Sequence, residues 1–184
     1  IKRPRTNFII TNPTNMFLYN LVIYLYGIVI KIASVNKLKA KQWVEGRKNW
    51  RENLSKKIAA LNSENILWVH CSSYGEFEQG RPLIEAIKKK HPGYKIILTF
   101  FSPSGYEAFK DWNGADIICY LPLDTKSNAR DFISITKPKV SIFIKYEFWL
   151  NFLFELKKQN IPTYLVSAVF KPHHPFLRLQ YYRV

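Results

Sequence analysis

Two carboxylates in this 184-residue chain stand where an enzyme would place working groups, Glu76 and Glu147. Glu76 closes the run Trp68-Val69-His70-Cys71-Ser72-Ser73-Tyr74-Gly75-Glu76, in which a short apolar strand passes into a Gly-containing turn and a helix begins. Glu147 directly follows the apolar stretch 140–145. The carboxyl end of a strand is where open α/β sheets hold their ligands. A pair of carboxylates there can supply a general base and an electrostatic partner. The position also has a plainer use, because a helix N-terminus favours a nearby anion. Both uses stand for each glutamate.

Ser102-Pro103-Ser104-Gly105 offers hydroxyls and backbone N–H groups at another helix start. That suits an anion cradle or an ordinary N-cap by Ser102 or Ser104. Asp124, ahead of a further helix, reads as a cap rather than a catalyst. His70 ends a strand and reads as a hydrogen-bonded structural histidine. His173-His174 has no second cluster at ligand spacing, so no metal is expected, and no cofactor. Gly75 belongs to neither GxGxxG nor GxxxxGK[ST], which leaves those two nucleotide-binding devices without support. Cys71 and Cys119 show no CxxC spacing and read as buried reduced thiols.

Positioning these residues requires alternating elements. Strands are predicted at 66–70, 95–100, 116–121, 140–145 and 163–169, and helices at 77–90, 104–112, 127–136 and 148–159. Strands separated by single helices imply βαβ units, a parallel sheet and right-handed crossovers. The polar turns after the strands, Glu76 and Glu147 included, should then share one sheet edge.

Ahead of this body lies Phe17 to Ile30, F-L-Y-N-L-V-I-Y-L-Y-G-I-V-I, with no charge until Lys31. It is short of the roughly 20 residues of a full span. A membrane anchor, spanning or dipping into one leaflet, is the leading reading; a signal peptide and a buried core helix are the others. Residues 37–61 read as one basic helix whose Trp43 and Trp50 suit a membrane interface and whose lysines suit anionic headgroups. A solvated helix packing one stripe on the domain is the alternative. The net charge of +15 favours an acidic partner, although no nucleic-acid recognition motif accompanies it.

W-V-H-C-S-S-Y-G-E-F, Arg81-Pro82-Leu83, L-T-F-F-S-P-S-G-Y-E, Y-L-P-L-D-T, K-Y-E-F-W and L-V-S-A-V-F follow one another in order. Together, from about Met16 to Phe170, they resemble the N-terminal half of the 3-deoxy-D-manno-octulosonic acid (Kdo) transferases. The resemblance implies a Rossmann-like parallel sheet with flanking helices, the N-terminal domain of a two-domain GT-B glycosyltransferase, preceded by an apolar anchor helix. Such enzymes are membrane-associated and inverting. They move Kdo from CMP-Kdo to the lipid A precursor at the cytoplasmic face of the inner membrane. The implied roles are general base for Glu76 and transition-state stabiliser for Glu147. Ser73, Gly75, Ser102, Ser104 and Gly105 would lie around the acceptor.

The implied organisation is an upstream segment at 1–15 with Met16 as the natural start, an anchor at 16–35, and an acceptor-binding domain at 36–184. The family departs from this chain in continuing into a second, nucleotide-sugar domain. The chain alone is therefore expected not to transfer Kdo. Its partners would be the lipid A precursor and an anionic membrane surface, not nucleic acid. A membrane-tethered Rossmann-like binding module without chemistry is the competing reading.

Overall fold

A computed structural model describes residues 13–145 and 148–166. Its centre is a five-stranded sheet of β1 (Ile66–Cys71), β2 (Lys95–Phe100), β3 (Ile117–Tyr120), β4 (Val140–Ile144) and β5 (Thr163–Val166). Every neighbouring pair is parallel and the strand order is β3-β2-β1-β4-β5. The strands read as near-continuous apolar runs because both sheet faces are covered. On one face Trp68, Phe132, Phe143 and Phe152 pack together under α3 (Trp50–Leu61), α6 (Lys126–Thr136) and α7 (Leu150–Lys158). On the other, Val69, Leu98, Phe77 and Ile84 pack under α4 (Tyr74–Lys90) and α5 (Pro103–Phe109). The predicted α/β alternation is thus the observed fold. The order reverses between β1 and β4, which makes the carboxyl edge there the switch point where such sheets bind ligands.

Two expectations need correction. Residues 37–61 form two helices, α2 (Leu38–Glu45) and α3, because the chain breaks at 46–49, where Asn49 takes a left-handed conformation at φ 51°. Trp43 and Trp50, which suit a membrane interface by type, face the domain instead. Trp43 is only 7% exposed, against Tyr26 and Phe101, and Trp50 is half-buried against Phe132. Lys37, Lys39, Lys41, Lys48, Lys56 and Lys57 stay in solvent.

Helix α1 (Pro13–Ala33) is 21 residues long, and its 15–33 portion has a mean hydropathy of 1.8, enough by length and composition to cross a membrane. It does not stand free. Asn20 accepts a hydrogen bond from the Asn151 amide at 2.9 Å, Tyr19 bonds Asp124, and Tyr26 stacks on Phe101 with ring centres 6.0 Å apart. Gly27 allows this close seating, since a Cβ there would stand 2.8 Å from Leu123. The remaining faces carry Phe17, Leu18, Leu21, Val22, Leu25, Ile28, Val29 and Ile32 into solvent. Among the described residues α1 is therefore not a buried core helix: one stripe is docked and the rest of its apolar surface is left uncovered by them.

Candidate active site

The site is built at the carboxyl ends of β1, β2 and β4. Ser73 ends the β1 turn in an extended conformation (φ −137°, ψ 171°) and serves as N-cap of α4, three residues earlier than predicted. That start places Glu76 in the first helical turn. Its Oε2 accepts the Ser73 backbone N–H at 3.1 Å, one half of a capping box. Glu76 is half-buried, with Tyr74 and Gly75 exposed before it. The plainer use of a carboxylate at a helix start is therefore realised.

The β2 turn is bonded to the β1 turn. The Ser102 N–H donates to the Ser72 carbonyl at 2.8 Å, and the Ser102 and Ser104 hydroxyls lie 2.9 Å apart. Ser102 caps α5, its hydroxyl accepting the Gly105 N–H at 3.4 Å. A Cβ on Gly105 would stand 2.5 Å from the Phe100 ring and 3.1 Å from the Ser73 carbonyl carbon. Only glycine lets α5 approach the β1 turn that closely. Ser73, Gly75, Glu76, Ser102, Ser104 and Gly105 thus sit on adjoining turns of one edge.

On the far side of the switch point, Lys145 leaves β4 with a left-handed backbone at φ 64°. A non-glycine outlier of this kind is enriched at functional sites. Glu147 lies outside the described residues. Two positions further on, Trp149 packs at a tilt against Phe101 with ring centres 4.4 Å apart, and its indole N–H donates to His70 Nε2 at 3.0 Å.

Residues 48–176 match the family described as 3-deoxy-D-manno-octulosonic-acid transferase (kdotransferase). The chain belongs to this family. Among relatives, a 3-deoxy-D-manno-octulosonic acid transferase of Aquifex aeolicus is 35% identical over 116 residues, 62% of this chain and 31% of its own length. The Haemophilus influenzae protein of the same name is 32% identical over 103 residues, covering 55% of this chain and 24% of the relative. A bifunctional glycosyltransferase/methyltransferase of Fusobacterium nucleatum is 28% identical over 155 residues, 78% of this chain and 23% of the relative. The chain therefore spans less than a third of the length of each of these relatives.

Within this Kdo transferase segment, three features escape a reading of the residues alone. Asp124 does not cap the helix it precedes; Thr125 does, accepting the Asn128 N–H at 3.2 Å. Asp124 is fully buried and accepts the backbone N–H groups of Asn151 and Phe152, both at 3.1 Å, as well as the Tyr19 hydroxyl. Arg47 donates to the carbonyls of Trp43, Phe101 and Leu121 at 2.8–3.0 Å and lies over the Trp43 ring at 3.8 Å, joining α2 to the turns after β2 and β3. Trp149 lies across the edge as described. The local clue to Asp124's partner is that the N-cap of α7 is Trp149, a residue with no side-chain oxygen to cap the helix.

Burial pushes the Asp124 carboxyl up to about 6, with the hydrogen bonds from Tyr19, Asn151 and Phe152 opposing it. A folded value above the unfolded one means that the native state holds the proton more tightly. Stability from this group is complete below the unfolded value of 3.8 and is lost as pH rises through 6. Between pH 7 and pH 5 the protein should gain about 1 kcal/mol from Asp124. Urea midpoints compared with those of Asp124→Asn, which lacks this gain, measure it.

Proposed function

We propose that this chain is the acceptor-binding half of an inverting glycosyltransferase of GT-B architecture that transfers Kdo from CMP-Kdo to the lipid A precursor in lipopolysaccharide synthesis. The observation that carries this reading is Glu76, held in the first turn of α4 at the switch point beside the 102–105 turn, within the segment matched to the family. In the proposed reaction the Glu76 carboxylate takes the proton of an acceptor hydroxyl. The freed oxygen attacks the anomeric carbon of Kdo from the side opposite CMP, whose phosphate oxygen leaves with the bonding pair. Glu147 supports the transition state, and Ser73, Gly75, Ser102, Ser104 and Gly105 surround the acceptor. CMP-Kdo is held chiefly by a second domain, and no cofactor takes part.

The test is direct. The chain joined to a family C-terminal half should transfer Kdo from CMP-Kdo to lipid A precursor. A folded enzyme that binds both substrates and transfers nothing refutes the reading. The Ser73–Glu76 cap favours one alternative, a membrane-tethered module whose Glu76 merely starts a helix. Transfer that depends on the Glu76 charge separates the two.

The same reading places the domain on the cytoplasmic face of the inner membrane. Because α1 is held to the domain at Tyr19 and again at Tyr26, about 10 Å further along the helix at 1.5 Å per residue, it lies along the domain edge. Its uncovered face then enters one leaflet, with the lysines of α2 and α3 near anionic headgroups. Leu21 and Leu25 belong to that face. The double substitution Leu21→Glu and Leu25→Glu should weaken binding to vesicles containing anionic phospholipid by roughly tenfold or more, with little change in folding stability. Sedimentation of vesicles with bound protein measures it, and unchanged binding would remove α1 from the membrane contact.

A further inference from the structure

His70 is fully buried in β1, where it pairs with Thr99 of β2 and Phe143 of β4, so it sits on the strand next to the switch point. Its Nδ1 lies 2.9 Å from Thr99 Oγ1, and its Nε2 lies 3.0 Å from the Trp149 indole nitrogen and 3.1 Å from Ser72 Oγ. The proton positions on the imidazole follow from the group types at its two nitrogens. An indole N–H only donates, so His70 Nε2 must present its lone pair to Trp149. The imidazole is then neutral with its proton on Nδ1, which donates to Thr99 Oγ1. That oxygen also accepts the Trp68 indole N–H at 2.8 Å, and its own proton points to the Val69 carbonyl at 3.4 Å. Trp68 and Thr99 are themselves fully buried in the core. The Nδ1 proton is therefore held inside the sheet, and the acceptor lone pair is delivered to the edge.

The residue at the end of this chain of bonds joins the start of α7 to β1 and to the turn after β2. Trp149 is the N-cap of α7 after β4, donates its indole N–H to His70 of β1, and packs against Phe101, the residue before Ser102. We infer that His70, as the Nδ1–H tautomer, is a positioning residue for the transfer reaction. It holds the Trp149 ring across the carboxyl edge and so fixes the start of α7 relative to β1 and the Ser102 turn. This rests on the proposed function for its catalytic consequence but not for its geometry. A histidine buried only to fill space would need neither a defined tautomer nor a partner on the β4 side.

Long-range proton–nitrogen NMR of histidine-labelled protein at pH 7.5 should show His70 protonated on Nδ1 and bare on Nε2. A proton on Nε2 overturns the inference whatever the enzyme does. Kinetics on the joined two-domain enzyme then test the consequence. The amide oxygen of His70→Gln reaches the Nε2 position and can accept the Trp149 N–H; that of His70→Asn reaches only the Nδ1 position. His70→Gln should keep kcat within about threefold of wild type. His70→Asn should lower kcat by about tenfold or more, a barrier change of about 1.4 kcal/mol. Trp149→Phe should cost about as much as His70→Asn, and the two together little more than either, because they remove one contact. Equal losses for Gln and Asn, or fully additive losses with Trp149→Phe, refute the positioning role. If wild-type enzyme shows no transfer, the proposed function fails while the tautomer measurement still decides the geometry.

Discussion

Glu76→Gln, placed in an enzyme that joins this chain to a donor-binding half, should lower Kdo turnover by roughly 100-fold or more and leave the unfolding midpoint unchanged. The two halves of that expectation come from different atoms of one side chain. Oε2 accepts the Ser73 N–H at 3.1 Å, and a glutamine carbonyl can accept the same bond. The start of α4, and with it the turn from Ser72 to Phe77, is then kept. The charge is lost, and with it the group that would take the acceptor proton, a contribution usually worth 10²–10⁴-fold. Glu76→Ala makes the contrast, since it removes cap and base together and should add about 1 kcal/mol of destabilisation. Turnover measured under substrate saturation beside thermal melts of both variants checks the argument. Near-normal kcat in Glu76→Gln would return Glu76 to the role of a helix start.

The fold was readable because its signals are local. Apolar runs such as Ile66 to Val69 and Ile96 to Leu98 mark strands buried on both faces, and the helices between them dictate parallel pairing. Glu76 was readable for the same reason: its strand, turn and helix are contiguous in sequence. What escaped depends on residues far apart in the chain. Tyr19 and Asn20 look like interruptions of an apolar run until Asp124 and Asn151 are seen opposite them, more than a hundred residues away. Trp43 has the type of a membrane-interface residue, yet Tyr26 and Phe101 claim its ring. Residue type cannot tell lipid from another part of the same protein, because both offer an apolar surface with a polar margin. His70 shows a milder case. Its structural character was legible, but its tautomer and its hold on Trp149 required the partners on β2 and α7.

Asp124→Ala should be the most destabilising single change at this edge, by about 3 kcal/mol, or on the order of 100-fold in the folding equilibrium. Three donors converge on the Asp124 carboxylate: the Tyr19 hydroxyl and the backbone N–H groups of Asn151 and Phe152. The two N–H groups belong to the first turn of α7, whose N-cap Trp149 has no oxygen to offer them. Losing the acceptor leaves all three without a partner, at about 1–3 kcal/mol each. Relief from burying a carboxylate offsets part of that sum. Tyr19→Phe deletes one of the three bonds and the one its hydroxyl accepts from the Leu150 N–H at 3.3 Å, and should cost less, about 1–2 kcal/mol. The carboxylate also joins α1 to α7, so the alanine variant should loosen both helices, whereas a cavity in the sheet core would spare α1. Urea unfolding gives the total. Amide hydrogen exchange at Leu150 to Phe152 and along α1 gives the distribution, and faster exchange at α7 with α1 unchanged would show that Tyr26 and Gly27 hold the helix without Asp124.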